Sequence, residues 1–248
     1  MKNLHYVTEE IPKFYSNNRI RWHQFYPSEQ KIFESLKLTP RHTVLDIGCG
    51  CGGLGIALNE RFDIHSYTGV DINSAAIEVG KQMASWSTLM SGDILDLSEN
   101  ILDGRVFDLV CSLSCVDYNV QFLEMLFAAW AHVKPGGTLV ATFRLSKAAS
   151  STTIKNSYQH INFEGKKEGE VAPYVVLNFK SFMVNLESFN PSEIVATGYW
   201  GAPSASAVTP HDQICFAAFA ITKRQRMDGS DVRFDLDLPD DLVAMLRA

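Results

Sequence analysis

The sequence lacks any apolar run long enough to cross a membrane, which needs about 20 consecutive apolar residues. Its beginning, MKNLHYVTEEIPKFYSNNRIRWHQFY, also lacks the apolar segment and the small-residue cleavage site of an export signal. These absences exclude a helical membrane protein and favour a cytoplasmic one. We therefore expect no membrane partner.

Cysteine is scarce, and the number and spacing of the cysteines do not favour disulfide bonds. There are five cysteines, an odd number, and Cys49 and Cys51 flank a single glycine. Such a set does not form a disulfide framework, so we expect reduced thiols. Because neither histidine nor further cysteine lies near this pair at zinc-finger spacing, the sequence predicts no metal site.

An excess of positive charge is missing as well. The chain has 22 lysines and arginines against 28 aspartates and glutamates, which gives a net charge of −6. General binding to a phosphate backbone is therefore disfavoured, and with it a nucleic-acid partner. The oligomeric state is left open by these features. Hydrophobic residues make up 46% of the chain, which is typical of a globular protein with a substantial core.

Strand-like apolar segments alternate with helix-like segments along the chain. This order favours an α/β fold with a doubly wound, mostly parallel sheet. The last two strands are joined by a short connection with no helical pattern, so we expect them to be antiparallel neighbours. An inserted β-hairpin and helix, residues 146–192, are expected to shape a substrate site. The seven predicted strands are 42–48, 66–72, 87–95, 106–115, 138–145, 193–201 and 213–223.

The segment TVLDIGCGCGGLGIAL, residues 43–58, is the strongest functional signal. Gly48, Gly50 and Gly53 follow a strand and precede a helix with the spacing G-x-G-x-x-G. Glycines permit positive φ and close approach of a ligand to the backbone, and the helix N-terminus adds unpaired N–H groups. Asp71 ends the second strand and is placed to bind ribose hydroxyls. The ligand is either a dinucleotide or an adenosyl compound without a diphosphate.

Asp46 distinguishes between these two ligands. It lies two residues before the first glycine, at the entrance to the loop. A carboxylate there repels a pyrophosphate by on the order of a few kcal/mol at intermediate dielectric. An adenosyl ligand that carries positive charge and no phosphate is favoured instead.

The motifs VLDIGCGCG, TGVDIN, SGDILDL, FDLVCSLSCVDY and HVKPGG occur in this order over roughly residues 40–145. In these motifs the chain resembles the class I, Rossmann-like S-adenosylmethionine-dependent methyltransferases. The resemblance implies a sheet of order 3-2-1-4-5-7-6 with strand seven antiparallel. It also implies three parts: an N-terminal helical lid (1–39), a methyltransferase domain (40–223) and a C-terminal tail (224–248).

The resemblance implies cofactor-binding roles at the ends of the first four strands. The residues are Asp46, Gly48, Cys49 and Gly50 at the methionine part, Asp71 at the ribose with Ile72 against the adenine, Asp93 at the adenine amino group with Ile94 nearby, and Ser112 and Leu113 at the methionine end.

Candidates for acceptor chemistry come from the N-terminal cluster YSNNRIRWHQFYP, the loop after strand four, the end of strand five and the insertion. A hydroxyl acceptor normally needs a base near the methyl group, whereas a thiol or an amine needs mainly positioning. An arginine of the N-terminal cluster is expected to hold the cofactor's carboxylate. The catalytic candidates are His23, Asp117 and Tyr118, and the substrate-contact candidates are Trp22, Tyr26, Arg144, Tyr158 and His160.

The motifs that are missing narrow the acceptor. The sequence has no NPPY or DPPY after strand four, which disfavours methylation of DNA bases or glutamine, and no Asp-Asp-Asn set of the metal-dependent catechol type. We therefore expect methyl transfer to a small molecule, first of all at oxygen, with nitrogen and carbon as the other acceptor atoms left open. The alternatives are a protein or tRNA acceptor and a non-catalytic protein that binds S-adenosylmethionine. A nicotinamide-dependent oxidoreductase is disfavoured by Asp46 and by KPGG.

Overall fold

A computed structural model of the chain describes residues 10–96, 102, 104–162, 164–226 and 230–247. The strands are β1 (Thr43–Ile47), β2 (Ser66–Asp71), β3 (Thr88–Ser91), β4 (Phe107–Ser112), β5 (Val133–Ser146), β6 (Tyr158–His160), β7 (Val171–Pro173), β8 (Leu177–Asn178), β9 (Pro191–Gly201), β10 (Ala207–Val208), β11 (Ile214–Lys223) and β12 (Arg233–Asp237). The α-helices are α1 (Glu10–Tyr15), α2 (Pro27–Ser35), α3 (Gly53–Phe62), α4 (Ser74–Met83), α5 (Phe122–Ala131), α6 (Phe179–Glu187) and α7 (Asp240–Val243). Single turns of 3₁₀-helix occur at Trp22–Gln24, Val116–Tyr118 and Ala244–Leu246.

The main sheet has the strand order β12-β9-β11-β5-β4-β1-β2-β3. Strands β1 to β5 pair in parallel, and β11 runs antiparallel to both β5 and β9. The seven strands from β3 to β9 thus reproduce the predicted order 3-2-1-4-5-7-6, which confirms the predicted fold class. Strand β12 pairs in parallel with β9, so the C-terminal segment extends the sheet by one edge strand.

The insertion after β5 builds a second, smaller sheet. Strands β6 and β7 form the predicted antiparallel hairpin, and β10, from the connection between β9 and β11, pairs with β6. Strand β8 pairs in parallel with β5 and leads directly into α6. The hairpin is thereby held beside the C-terminal ends of the parallel strands.

Alternation along the strands divides the core into two layers. In β1, Val44 packs on one face of the sheet, whereas Leu45 and Ile47 pack on the other. The first layer holds Phe33 of α2, and the second holds Phe182 of α6. Period-2 strands buried on both faces are typical of doubly wound sheets.

Two negative findings concern the described residues alone. In that part of the chain no helix combines the length and the apolar character needed to cross a bilayer. All five cysteines are present there as free thiols.

Candidate cofactor and acceptor site

A large cavity opens at the C-terminal ends of β1, β2, β3 and β4; we call it the central cavity. Strand order reverses between β1 and β4, which is where ligands bind in open α/β sheets. Its wall includes nine of the residues assigned to cofactor binding from the sequence: Asp46, Gly48, Cys49, Gly50, Asp71, Ile72, Asp93, Ile94 and Leu113.

The glycine loop brings bare backbone to the cavity wall. Gly48 has a φ of 76° and Gly50 a φ of 54°, in the left-handed region that glycine tolerates. The Gly48 N–H donates to the Val70 carbonyl at 2.8 Å. A Cβ at Gly48 would lie 2.3 Å from the Cys115 Sγ, and one at Gly50 would lie 3.3 Å from the Tyr15 ring. Both glycines are therefore required by the packing around the loop.

Asp71 braces this loop from the end of β2. Its Oδ2 accepts a hydrogen bond from the Gly50 N–H at 2.8 Å, and its Oδ1 accepts one from the Asn73 N–H at 2.8 Å. A carboxylate accepts up to about four hydrogen bonds, so these contacts are compatible with ribose hydroxyls on the same group. The side chain lines the central cavity, where the sequence placed it.

Asp46 reaches the cavity from the end of β1 and is only 3% exposed. Its Oδ2 accepts a 2.6 Å hydrogen bond from the Tyr67 hydroxyl. Burial raises the pKa of Asp46 to about 7, although the Tyr67 hydrogen bond acts to lower it. The carboxylate therefore gains from a nearby cation, which would stabilise its ionised form.

The remaining cofactor candidates lie at the ends of β3 and β4. Asp93 lines the cavity, and its Oδ1 accepts a hydrogen bond from the Leu95 N–H at 2.9 Å. Leu113 also lines the cavity, whereas Ser112, the last residue of β4, is 2% exposed and does not. Because neighbouring strand residues point to opposite faces, only one of this pair faces the cavity.

The N-terminal segment adds a further part of the wall, which packs against the glycine loop. Tyr15 and Arg19 line the cavity, and the Arg19 guanidinium lies 2.9 Å from the fully buried Glu29 carboxylate. Burial raises the pKa of Tyr15 to about 12, so its hydroxyl stays protonated at neutral pH. Only the aromatic and basic density of YSNNRIRWHQFYP signalled this wall, without indicating which members face inward.

The candidates Trp22, His23 and Tyr26 lie outside the wall of the cavity. Trp22 packs edge-on against the rings of Phe33 and Phe62, with centroids 6.1 and 5.3 Å away. His23 is exposed on the single helical turn, and Tyr26 is 53% exposed. In this structure Trp22 therefore packs against the core, and the expected contacts of Trp22 and Tyr26 with substrate and of His23 as the base are not found at the cavity.

Asp117 and Arg144 are paired with each other behind the wall. Their nearest charged atoms lie 3.2 Å apart, the Arg144 Nη1 also donates to the Asp117 carbonyl at 2.7 Å, and both side chains are buried. The guanidinium lies over the rings of Tyr118 and Tyr174, 4.1 and 3.8 Å from their centroids. Arg144 is thus engaged within the protein, which replaces its expected contact with an anionic substrate.

Tyr118 and the insertion meet at the wall of the cavity. The Tyr118 hydroxyl donates to the Gln159 Oε1 at 2.8 Å, and the Gln159 Nε2 donates to Ser204 and Ser206, each at 3.1 Å. Tyr118, Gln159 and His160 line the cavity. Burial raises the pKa of Tyr118, so its hydroxyl acts as a hydrogen-bond donor and not as a base.

His160 and Tyr158 are neighbours on β6 with different environments. Their rings lie 5.6 Å apart in an edge-on arrangement, and only His160 lines the cavity. The buried His160 Nδ1 has no hydrogen-bond partner among the described residues. His160, expected from the sequence as a substrate contact, thus brings an imidazole to the cavity, which the catalytic candidate His23 does not.

The residues of the cavity wall fit S-adenosylmethionine. The cradle at Gly48 and Gly50, the acids Asp71 and Asp93, and the apolar Ile72 share one cavity. They match the backbone, ribose and adenine contacts that an adenosyl ligand requires. Within the described ranges no group of three or more His, Cys, Asp or Glu side chains is arranged to hold a metal ion.

Comparison with known proteins finds relatives for part of the chain. Residues 44–137, less than half of the chain, match the family described as "Methyltransferase domain". This match confirms the predicted resemblance to the class I S-adenosylmethionine-dependent methyltransferases.

Relatives of this domain are distant in sequence. Trans-aconitate 2-methyltransferase of Deinococcus radiodurans is 28% identical over 127 residues, which are 49% of this chain and 47% of that protein. Ubiquinone biosynthesis O-methyltransferase of Coxiella burnetii is 30% identical over 142 residues, 53% of this chain and 59% of that one. The chain thus spans about half the length of these curated relatives.

A solved structure supports the fold. Haemonchus contortus phosphoethanolamine N-methyltransferase 2, in complex with S-adenosyl-L-methionine, has a TM-score of 0.53 at 15% identity. The match covers 84% of this chain and 55% of that one. At this identity the likeness is one of fold.

Proposed function

We propose that the protein is an S-adenosylmethionine-dependent methyltransferase that methylates a small molecule at oxygen. The observation that carries this proposal is the convergence of the glycine cradle with Asp46, Asp71 and Asp93 on one cavity. Each acid ends or follows a different strand, and a dinucleotide would bring its diphosphate beside the first of them. A phosphate-free cationic nucleoside suits this wall better.

The cofactor is held at several points. When bound, S-adenosylmethionine supplies the electrophilic methyl group for an in-line displacement. Asp71 binds the ribose hydroxyls, Asp93 binds the adenine amino group, and Asp46 offsets the positive charge. Arg19, the arginine of the cavity wall, pairs with the methionine carboxylate.

The acceptor is positioned from the side opposite the adenosine. Tyr118 and Gln159 form a rigid wall there because their side chains are hydrogen-bonded to each other. His160 accepts the proton from a hydroxyl acceptor, since its imidazole lines the cavity and its Nδ1 has no hydrogen-bond partner among the described residues. Alignment of the acceptor oxygen with the methyl group is the main catalytic contribution of the chain.

Binding measurements test the cofactor assignment. Calorimetric titration with S-adenosylmethionine and S-adenosylhomocysteine should give saturable binding, and a fluorescence titration with NADH should give none. Asp71→Asn should weaken binding because ribose recognition is altered. Asp63→Asn is the matched control, since Asp63 lies in an exposed turn after α3. Binding of NADH without binding of S-adenosylmethionine would contradict the proposal.

Turnover measurements test the acceptor. Transfer of labelled methyl groups to low-molecular-weight products supports the proposal. Label in protein or in tRNA supports the alternative of a macromolecular acceptor. Cofactor binding with no transfer to any acceptor supports a non-catalytic binding protein. His160→Gln should lower the transfer rate to a hydroxyl acceptor and leave the affinity for S-adenosylhomocysteine within about twofold, as expected of a base.

A further inference from the structure

The central cavity has two ends whose walls come from different parts of the chain. The loops after β1, β2 and β3 supply the cofactor end. The N-terminal segment, the loop after β4 and the hairpin β6–β7 supply the other, which we call the acceptor end. Side chains at the acceptor end include Tyr15, Phe25, Tyr118, Asn119, Gln159 and His160.

The acceptor end has no uncompensated cation among its described residues. Arg19 is the only lysine or arginine in the described wall of the cavity, and it is paired with the fully buried Glu29 at 2.9 Å. In the proposed complex Arg19 also holds the methionine carboxylate of the cofactor, so it is not available to a second anion on the acceptor. Arg144, behind Tyr118, is paired with the buried Asp117 at 3.2 Å. A carboxylate or phosphate entering here would lose its hydration without gaining a free partner, which is costly.

The amide side chains of this wall already have partners within the protein, whereas the His160 Nδ1 has none among the described residues. Gln159 bonds to Tyr118 and two serines, and the Asn119 Oδ1 accepts from the Gln121 N–H at 2.8 Å. The same wall carries the aromatic rings of Tyr15, Phe25 and Tyr118. Phe25 is 4% exposed beneath the Arg19 guanidinium, and the Tyr118 ring is fixed by Arg144. Such rings favour a flat, apolar ligand body.

We infer that the acceptor is an uncharged aromatic compound that is methylated at a phenolic hydroxyl. This inference rests on the proposed function and narrows it. In the reaction the bond between sulfur and the methyl carbon breaks, a bond between the phenolic oxygen and that carbon forms, and the phenolic proton passes to His160. A thioether and an aryl methyl ether are the products.

A matched pair of probes tests the charge preference. Methyl gallate and gallate share one ring and its hydroxyls, but only gallate carries a carboxylate at neutral pH. Both are titrated into the full chain saturated with S-adenosylhomocysteine, and both are then offered as acceptors with S-adenosylmethionine. We expect methyl gallate to bind at least about tenfold more tightly than gallate, or about 1.4 kcal/mol, and to be methylated faster.

A variant tests the electrostatic cause. Ile161 lines the cavity on the hairpin, so Ile161→Lys adds a cation there, and Ile161→Met is the uncharged control. In the lysine variant the ratio of the dissociation constants of gallate and methyl gallate should fall at least about fivefold, whereas in the methionine variant this ratio should stay unchanged. An unchanged preference in the lysine variant would contradict the electrostatic argument.

The remaining outcomes separate this inference from the proposed function. Equal or tighter binding of gallate overturns the inference. Binding of neither compound to protein that binds S-adenosylhomocysteine also overturns it and leaves the proposed function standing. Failure of S-adenosylhomocysteine itself to bind overturns the proposed function.

Discussion

Cofactor affinity should depend on pH through Asp46. This carboxylate is 3% exposed, and burial raises its pKa to about 7. The ionised form attracts the sulfonium and ammonium groups of S-adenosylmethionine, and the protonated form does not. Because the pKa is raised, the attraction is present above pH 7 and is lost as the pH falls through that value.

The size of the effect follows from that pKa. With a pKa of about 7, roughly one tenth of Asp46 is ionised at about pH 6 and nine tenths at about pH 8. If only the ionised form binds the cofactor well, the apparent affinity should rise about tenfold over this range, or about 1.4 kcal/mol. Weaker discrimination between the two forms gives a smaller rise with the same sign.

Calorimetric titration at several pH values measures this dependence. The control is Asp46→Asn, which keeps the shape of the side chain and reports any titration of the ligand itself. Tyr67→Phe removes the 2.6 Å hydrogen bond that lowers the pKa of Asp46. In this variant the rise of cofactor affinity with pH should therefore occur at higher pH. If the wild type and Asp46→Asn show the same pH dependence, the electrostatic role of Asp46 is refuted.

Three further changes probe the site and its support. Asp71→Ala should weaken S-adenosylhomocysteine binding by about 1–3 kcal/mol in calorimetry, since hydrogen bonds to the ribose are lost; unchanged affinity would remove Asp71 from the site. Gly48→Ala should lower the melting temperature, because its φ is 76° and the new Cβ would lie 2.3 Å from Cys115; an unaltered melting temperature would contradict this packing. Arg144→Met should lower the free energy of unfolding in urea by about 3–5 kcal/mol, since Asp117 is left buried and unpaired, and adding Asp117→Asn should restore part of it; no restoration would argue against the pair.

The fold could be predicted from the sequence because its signals are local. Each strand has its own buried apolar pattern, and the glycines after β1 mark the turn that follows the first strand. The antiparallel β11 was indicated by connection length alone. The edge strand β12, in contrast, lies in a segment rich in acids whose pairing with β9 no local pattern indicates.

The acceptor side was predicted less well because its contacts join residues far apart in the sequence. Arg144 lies in β5 and Asp117 in the 3₁₀ turn after β4, and only the folded chain shows that they neutralise each other. Likewise, the composition of the N-terminal cluster suggested a wall near the cofactor, but Trp22 turned towards the core and Arg19 towards the cavity. A short irregular segment has no periodicity from which a facing direction follows.

The glycine motif itself depends on those distant contacts. A Cβ at Gly53 would lie 2.2 Å from the Arg19 carbonyl, and one at Gly48 would lie 2.3 Å from the Cys115 sulfur. These glycines therefore leave room for the N-terminal segment and the loop after β4, two of the three elements that build the acceptor end. The glycine spacing in the sequence thus has two causes. The cofactor needs a backbone without side chains at this turn, and so do the N-terminal segment and the loop after β4, which pack against the same backbone.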